Sequence, residues 1–181
     1  MLSWLIERAE GERRAQRIEW LLLDVDGVLT DGRLFIGVDG TERLAFHVHD
    51  GHGLRMWQRA GRQVAVVSGS GSPGARVRCE SLGVEHIYQD AHWKLEVFQQ
   101  FLCDTGAAPE QVCFVGDELV DLPVLRQAGL AVAVPNAVPE VCAEAHVLTR
   151  RSGGHGAVRE LIDELLRIQG EWERVTARYY T

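Results

Sequence analysis

Short apolar runs rich in Val, Ile and Leu alternate along the chain with longer amphipathic stretches. The runs at 20–24, 63–68, 86–89, 112–116 and 130–134 have strand length and no polar face, the pattern of strands buried inside a parallel sheet. Between them, helical periodicity predicts helices at 53–60, 73–82, 93–105 and 119–128. Pro73 suits a first helical turn, and Gly61, Gly83, Gly106 and Gly129 suit helix ends. This alternation predicts a doubly wound parallel α/β sheet. One stretch interrupts it: segments 34–38 and 43–48 flank Asp39-Gly40, a strong turn signal, which predicts a β-hairpin inserted directly after the first strand. A last amphipathic helix is expected at 157–169. With no internal repeat or low-complexity linker, the organisation reads as an N-terminal extension (1–17), a single domain (18–170) and a polar C-terminal tail (171–181).

Composition agrees with one folded domain. The chain has 181 residues, 46% of them hydrophobic and 25% charged, enough apolar surface for an ordinary core and too much for a disordered segment. A net charge of -7 argues against a duplex nucleic-acid partner, though a bound cation can still attract an anionic substrate locally. The apolar stretch at 2–6 is too short for a signal peptide or a membrane span, and no later run approaches that length. The four cysteines form no C-x-x-C pair and read as reduced, mostly buried thiols of a cytoplasmic protein.

Chemistry concentrates at the predicted strand ends. The first strand runs Leu-Leu-Leu-Asp-Val-Asp-Gly-Val-Leu-Thr-Asp-Gly, placing Asp24 and Asp26 where open α/β sheets hold ligands. Alternation along a strand would point both carboxylates to one side, and Gly27 lets the chain turn sharply. Asp24, Asp26 and Asp31 so close together repel one another unless a cation sits among them, although Asp31-Gly32 alone is an ordinary turn former. A second acidic cluster, Asp117, Glu118 and Asp121, follows the apolar strand 112–116. Taken alone it reads as a helix cap with acidic first-turn residues; beside the first cluster it resembles a carboxylate and water site for Mg²⁺. Ser68, Gly69 and Ser70 end another core strand, where a hydroxyl and backbone N–H groups suit phosphate oxygens. Lys94 opens a helix, against the helix dipole.

The order Asp-x-Asp, Ser, Lys, Gly-Asp-x-x-x-Asp, each at a strand end, resembles the haloacid dehalogenase-like phosphatase superfamily. The nearer resemblance is to the 3-deoxy-D-manno-octulosonate 8-phosphate phosphatase family. It rests on the Asp24–Gly32 segment, Phe46-x-Val48-x-Asp50-Gly51-x-Gly53, Gly116-Asp117, Asp121-Leu-Pro123 and Gly153-Gly154-x-Gly156-Ala-Val-Arg159-Glu160, and spans about 18–170. The resemblance implies a doubly wound fold without a large cap domain and a nucleophile at Asp24. It implies Asp26 as general acid and base, and Mg²⁺ held by Asp24, the Asp26 backbone carbonyl and Asp117, with Asp121 and Glu118 in support. Ser68, Gly69 and Lys94 would bind the phosphoryl group. It further implies a small-molecule sugar phosphate as substrate, a role in lipopolysaccharide biosynthesis, and a homotetramer whose hairpins pack together.

Departures from that pattern are also visible. Ser70, His49 and His155 stand where the family usually has arginine, which weakens the grip on a substrate carboxylate; these three positions and Asp31 are candidate substrate contacts. His47, His49 and His52, at and just after the end of the expected hairpin, offer a transition-metal cluster because alternate strand positions can converge on an ion, beside the plainer reading of hairpin surface and subunit contact. Two other classes share some of these features. A response-regulator receiver has the acidic pair, hydroxyl and lysine, but it needs an aspartate at the end of 63–67, which this chain lacks. A non-catalytic binding protein on the same fold would not require Asp24, Asp26, Ser68, Lys94 and Asp117 together.

Overall fold

In the computed structural model, which describes residues 2–180, the elements run β1 (Ser3–Trp4), α1 (Arg8–Gln16), β2 (Trp20–Leu23), β3 (Phe35–Ile36), β4 (Glu42–Arg43), α2 (Val48–Arg59), β5 (Gln63–Val67), α3 (Pro73–Ser81), β6 (His86–Tyr88), α4 (Lys94–Thr105), β7 (Val112–Gly116), α5 (Leu122–Leu125), β8 (Leu130–Ala133), α6 (Pro139–Glu144), β9 (Val147–Leu148), α7 (Ala157–Ile168) and α8 (Trp172–Thr176). The main sheet has the order β1-β9-β8-β7-β2-β5-β6, parallel throughout except for β1 at one edge. The central strands are buried on both faces because alternate side chains feed two cores. Leu21, Leu23, Val64, Val66, Cys113 and Val115 join α1, α2, α3, α7 and α8 on one side. Leu22, Ala65, Val67, Val112 and Phe114 join α4, α5 and α6 on the other, where Phe98 and Phe101 are fully buried. Each such large side chain contributes roughly 1.5–3 kcal/mol by leaving water. The architecture is the expected doubly wound α/β sheet with a hairpin after its first central strand, and no cap domain appears among the described residues.

Several boundaries differ from expectation. Helix α2 begins at Val48, where the apolar pattern predicted a strand to 48 and a helix only from 53. Gly51 and Gly53 hide the helix from a propensity reading, yet both are packing positions: a Cβ on Gly51 would press on Arg78, and one on Gly53 on Arg159 and Ile162. The hairpin is correspondingly short, with Phe35 opposite Arg43 and Ile36 opposite Glu42. His49 and His52 therefore lie on a helix, with His47 capping it, and the three rings form no metal cluster among the described residues. The expected helix 119–128 is a 3₁₀ turn over Leu119–Asp121 followed by α5.

The segments assigned as extension and tail belong to the same fold. Ser3 and Trp4 pair with Leu148 and Val147, α1 buries Ala15, and α8 buries Val175. Strand β9 and helix α6 went unrecognised because each is very short. Cys79 and Cys113 are buried, Cys142 is half-buried and Cys103 is exposed, all as free thiols.

Candidate active site

Strand β2 stops at Leu23, and Asp24 continues in extended geometry with its N–H donating to the Val115 carbonyl at 3.1 Å. The chain then winds a tight turn over Val25–Leu29, closed by Thr30 N–H on the Val25 carbonyl at 2.9 Å. Asp26 is thus brought to the site by a turn and not by strand alternation. Gly27 has φ +96°, and a Cβ there would fall on the Asp117 carboxylate, so only glycine fits. Thr30 is buried and steadies the turn: its Oγ1 accepts from Gly27 and Gly32 N–H, both at 3.3 Å, and donates to the Val25 carbonyl.

Lys94 explains its own odd position. Its Nζ lies 2.8 Å from Asp24 Oδ1 and 2.6 Å from Asp121 Oδ1, with the side chain almost wholly buried. Burial works against the ammonium, but the two carboxylates outweigh it and raise its pKa. Asp121, with no exposed surface, is held on its other oxygen by the N–H groups of Asp117 (3.0 Å) and Glu118 (3.2 Å). Opposite, Ser68 is buried, accepts from Ser70 N–H at 3.0 Å, and donates to Asp26 Oδ2 at a long 3.5 Å.

Asp24, Asp117 and Asp121 each offer an oxygen within 4.8 Å of the others, so three carboxylates face a single ammonium. Burial pushes Asp24 well above the usual carboxylate range; Lys94 opposes this, and Asp121 and Asp117 add to it. Asp117 rises to about 6, first through burial and then through the charge of Asp121, against a hydrogen bond with Asp24. Asp26 is also raised, chiefly by burial and then by Glu42, with Lys94 and Ser68 pulling the other way. Asp117 Oδ1 is buried without a hydrogen-bond partner. An orphaned anionic oxygen among excess carboxylates is the donor set of a hard divalent cation, so these residues fit Mg²⁺.

The other predicted residues are placed less centrally. Glu118 is exposed, its Oε1 accepting from Leu119 N–H at 2.6 Å, so it caps a turn and does not join the three-carboxylate cluster. Asp31 is occupied by its own turn, accepting from Arg33 N–H at 3.1 Å. Ser70 Oγ accepts from Ser72 N–H at 3.2 Å, and Gly69 is open to solvent. His155 is exposed, its Nδ1 2.8 Å from the Gly153 carbonyl. His49 lies at the head of a cleft along α7 shared with Arg150, Arg151 and Arg159.

Two motifs singled out in the sequence interlock. Asp50, buried at the start of α2, accepts from Gly156 N–H at 3.2 Å and Arg159 N–H at 2.7 Å, fixing the start of α7. Sequence reasoning missed Asn136, whose side chain reaches both Gly27 and Gly153. No motif signals it, since its partners are backbone groups far away in the chain.

Fold and site together define a haloacid dehalogenase-like hydrolase, and a family model of that description matches residues 78–161. The 3-deoxy-D-manno-octulosonate 8-phosphate phosphatase KdsC of Escherichia coli (strain B / BL21-DE3) is 44% identical over 163 residues, covering 90% of this chain and 87% of its own. The phosphatase of that name from Moraxella catarrhalis, solved with magnesium ion, phosphate ion and KDO, superposes with a TM-score of 0.93 at 32% identity, covering 96% of this chain and 99% of that one. Its counterpart from Yersinia pestis superposes at 0.89 with 37% identity, covering 96% of each chain. The chain belongs to the 3-deoxy-D-manno-octulosonate 8-phosphate phosphatase family, and its activity is the hydrolysis of phosphoric monoesters.

Proposed function

We propose that this enzyme hydrolyses 3-deoxy-D-manno-octulosonate 8-phosphate through a phospho-aspartate on Asp24, a reaction of lipopolysaccharide biosynthesis. The observation that carries the mechanism is the buried Asp24–Lys94–Asp121 array beside the unpartnered Asp117 oxygen. The Moraxella relative, bound to magnesium, phosphate and KDO, supports both the cation and the sugar acid.

Asp24, the Asp26 carbonyl and Asp117 would hold Mg²⁺, with Asp121 behind them. When bound, the ion neutralises phosphoryl charge that the carboxylates would otherwise repel. Lys94 orients Asp24 and, with Ser68 and the Gly69 N–H, would face the phosphoryl oxygens, while the Ser70 N–H holds Ser68 Oγ. A carboxylate oxygen of Asp24 attacks phosphorus, the bond to the sugar oxygen breaks, and Asp26 gives that oxygen its proton. Asp26 then takes a proton from water, whose oxygen attacks the same phosphorus and releases Asp24 and inorganic phosphate. The raised pKa of Asp26 suits a group that must arrive protonated.

The same reading makes the protein a homotetramer. Leu34, Phe35, Ile36 and Val38 are 55%, 55%, 62% and 112% exposed on the hairpin, an apolar surface suited to burial against other copies. The absence of guanidinium groups at Ser70, His49 and His155 favours a broader specificity, reaching a nine-carbon keto-sugar-acid phosphate as well. Released phosphate, measured over a panel of carboxylated and neutral sugar phosphates with Mg²⁺ or chelator, tests the proposal. The octulosonate ester is expected to have the highest kcat/KM of the panel. A neutral sugar phosphate turned over as well, or full activity in chelator, would overturn it.

A further inference from the structure

The loop between β8 and α6 ties the two acidic strand ends together. Asn136 Nδ2 donates to the Gly27 carbonyl at 2.8 Å, and its Oδ1 accepts from Gly153 N–H at 2.8 Å. A carbonyl only accepts and an N–H only donates, so these partners define the amide's orientation. Two residues on, Val138 N–H donates to the Asp117 carbonyl at 2.9 Å. The loop thus grips the turn that follows Asp24 and contains Asp26, and also Asp117, the residue just beyond β7.

Packing around Gly27 leaves no slack. A Cβ on Gly27 would fall on the Asp117 carboxylate, and one on Gly153 would fall on the Gly27 carbonyl. Gly154 N–H donates to the Val28 carbonyl at 3.0 Å, pressing the same segments together. Gly27 is therefore held on both of its peptide planes. Thr30 Oγ1 accepts from its N–H, in the peptide that carries the Asp26 carbonyl, and Asn136 holds its own carbonyl. If either hold is released, the peptide joining Asp26 to Gly27 gains freedom to rotate, and the Asp26 carbonyl turns with it.

We propose that Asn136 is a positioning residue for the divalent-cation site, holding Gly27 so that the Asp26 carbonyl and the Asp24 and Asp117 carboxylates face one ion. The inference rests on the Mg²⁺ reading above; both hydrogen bonds of the Asn136 side chain go to backbone groups. Residues that orient metal ligands typically account for 10–100-fold in metal affinity.

The test is Mg²⁺ titration by calorimetry, with thermal denaturation in parallel, on chelator-treated full-length wild type, Asn136→Ala, Asn136→Leu and Gln169→Ala. Gln169 Nε2 donates to the carbonyls of Ala15 and Ile18, both at 2.8 Å, in packing unconnected with the site, and so serves as a control for stability alone. Both Asn136 variants are expected to bind Mg²⁺ roughly tenfold more weakly, and their turnover to be restored by raising Mg²⁺. Gln169→Ala is expected to melt earlier and bind Mg²⁺ as wild type does. Wild-type Mg²⁺ affinity in either Asn136 variant, or an equal weakening in Gln169→Ala, would overturn the positioning role. Wild type that binds no Mg²⁺ would overturn the metal-site reading itself, which is a different result.

Discussion

Beyond the carboxyl end of β2, Lys94 is packed between Asp24 and Asp121, and backbone N–H groups occupy the far side of Asp121. Ten residues downstream of Asp24, the hairpin begins with Leu34, Phe35 and Ile36 more than half exposed, on strands of two residues each. Charges are buried in the first region and apolar side chains face water in the second, so both run against the usual partition. They resolve it differently. In the candidate site, distant segments of the same chain supply most of the partners, and among the described residues Asp117 Oδ1 is left as an orphaned buried oxygen, which points to a cation. At the hairpin the chain supplies almost nothing beyond one short antiparallel pairing. The buried charges are answered from within the chain, whereas the exposed apolar hairpin would be answered only by the proposed contact with other copies.

The largest effect is expected from Asp24→Asn, which removes the proposed nucleophile while keeping the side chain's shape. Turnover is expected to fall by roughly 10⁴- to 10⁶-fold, with the melting temperature unchanged or raised because one buried negative charge is gone. Trapping of the phospho-enzyme on a different residue would break the assignment. Next comes Lys94→Ala, which leaves Asp24 and Asp121 unpaired in the interior. Breaking a buried pair typically destabilises by about 3–5 kcal/mol, and here Mg²⁺ is expected to return part of it; denaturant melts with and without the ion measure both.

Phe35→Asp combined with Ile36→Asp is expected to dissociate the proposed homotetramer while leaving each protomer's thermal unfolding near that of wild type. Sedimentation velocity reads the change. An unaltered assembly would show that the exposed hairpin is not its interface, and the contrast between the two regions would lose one side.

The smallest effect concerns pH in metal-free protein. Asp117 has a pKa raised to about 6 from 3.8, so the folded state binds its proton more tightly than the unfolded chain does. That contribution to stability is fully present below the lower value and is lost as pH rises through the upper one. Melting temperature in chelator is therefore expected to fall by a few degrees between about pH 5 and about pH 7.5. Asp117→Asn is expected to flatten the profile, and hairpin variants to keep it. A wild-type profile that rises over this interval would show that other groups dominate.

How far the sequence alone reached depends on the kind of interaction. The buried strands were legible because both faces of β5, β7 and β8 need apolar residues whatever they pack against. The convergence of Asp24, Asp26, Ser68, Lys94 and Asp117 was legible because acidic, hydroxyl and cationic residues at the carboxyl ends of neighbouring parallel strands meet at one edge of the sheet. Local signals misled where a tertiary contact outweighed them. Gly51 and Gly53 weaken a helix, yet α2 starts before them because glycine lets it lie close to Arg78 and to α7. The segment 1–17 looked like an appendage because pairing of Ser3–Trp4 with Val147–Leu148 joins residues more than a hundred positions apart. Asp26 reached the centre through a turn whose geometry depends on Asp117 filling the space beside Gly27. Asn136 was silent for the same reason. Residue type and spacing record what a side chain is able to do, but which backbone group stands opposite it is decided only when distant segments pack, and that choice leaves no periodicity to read.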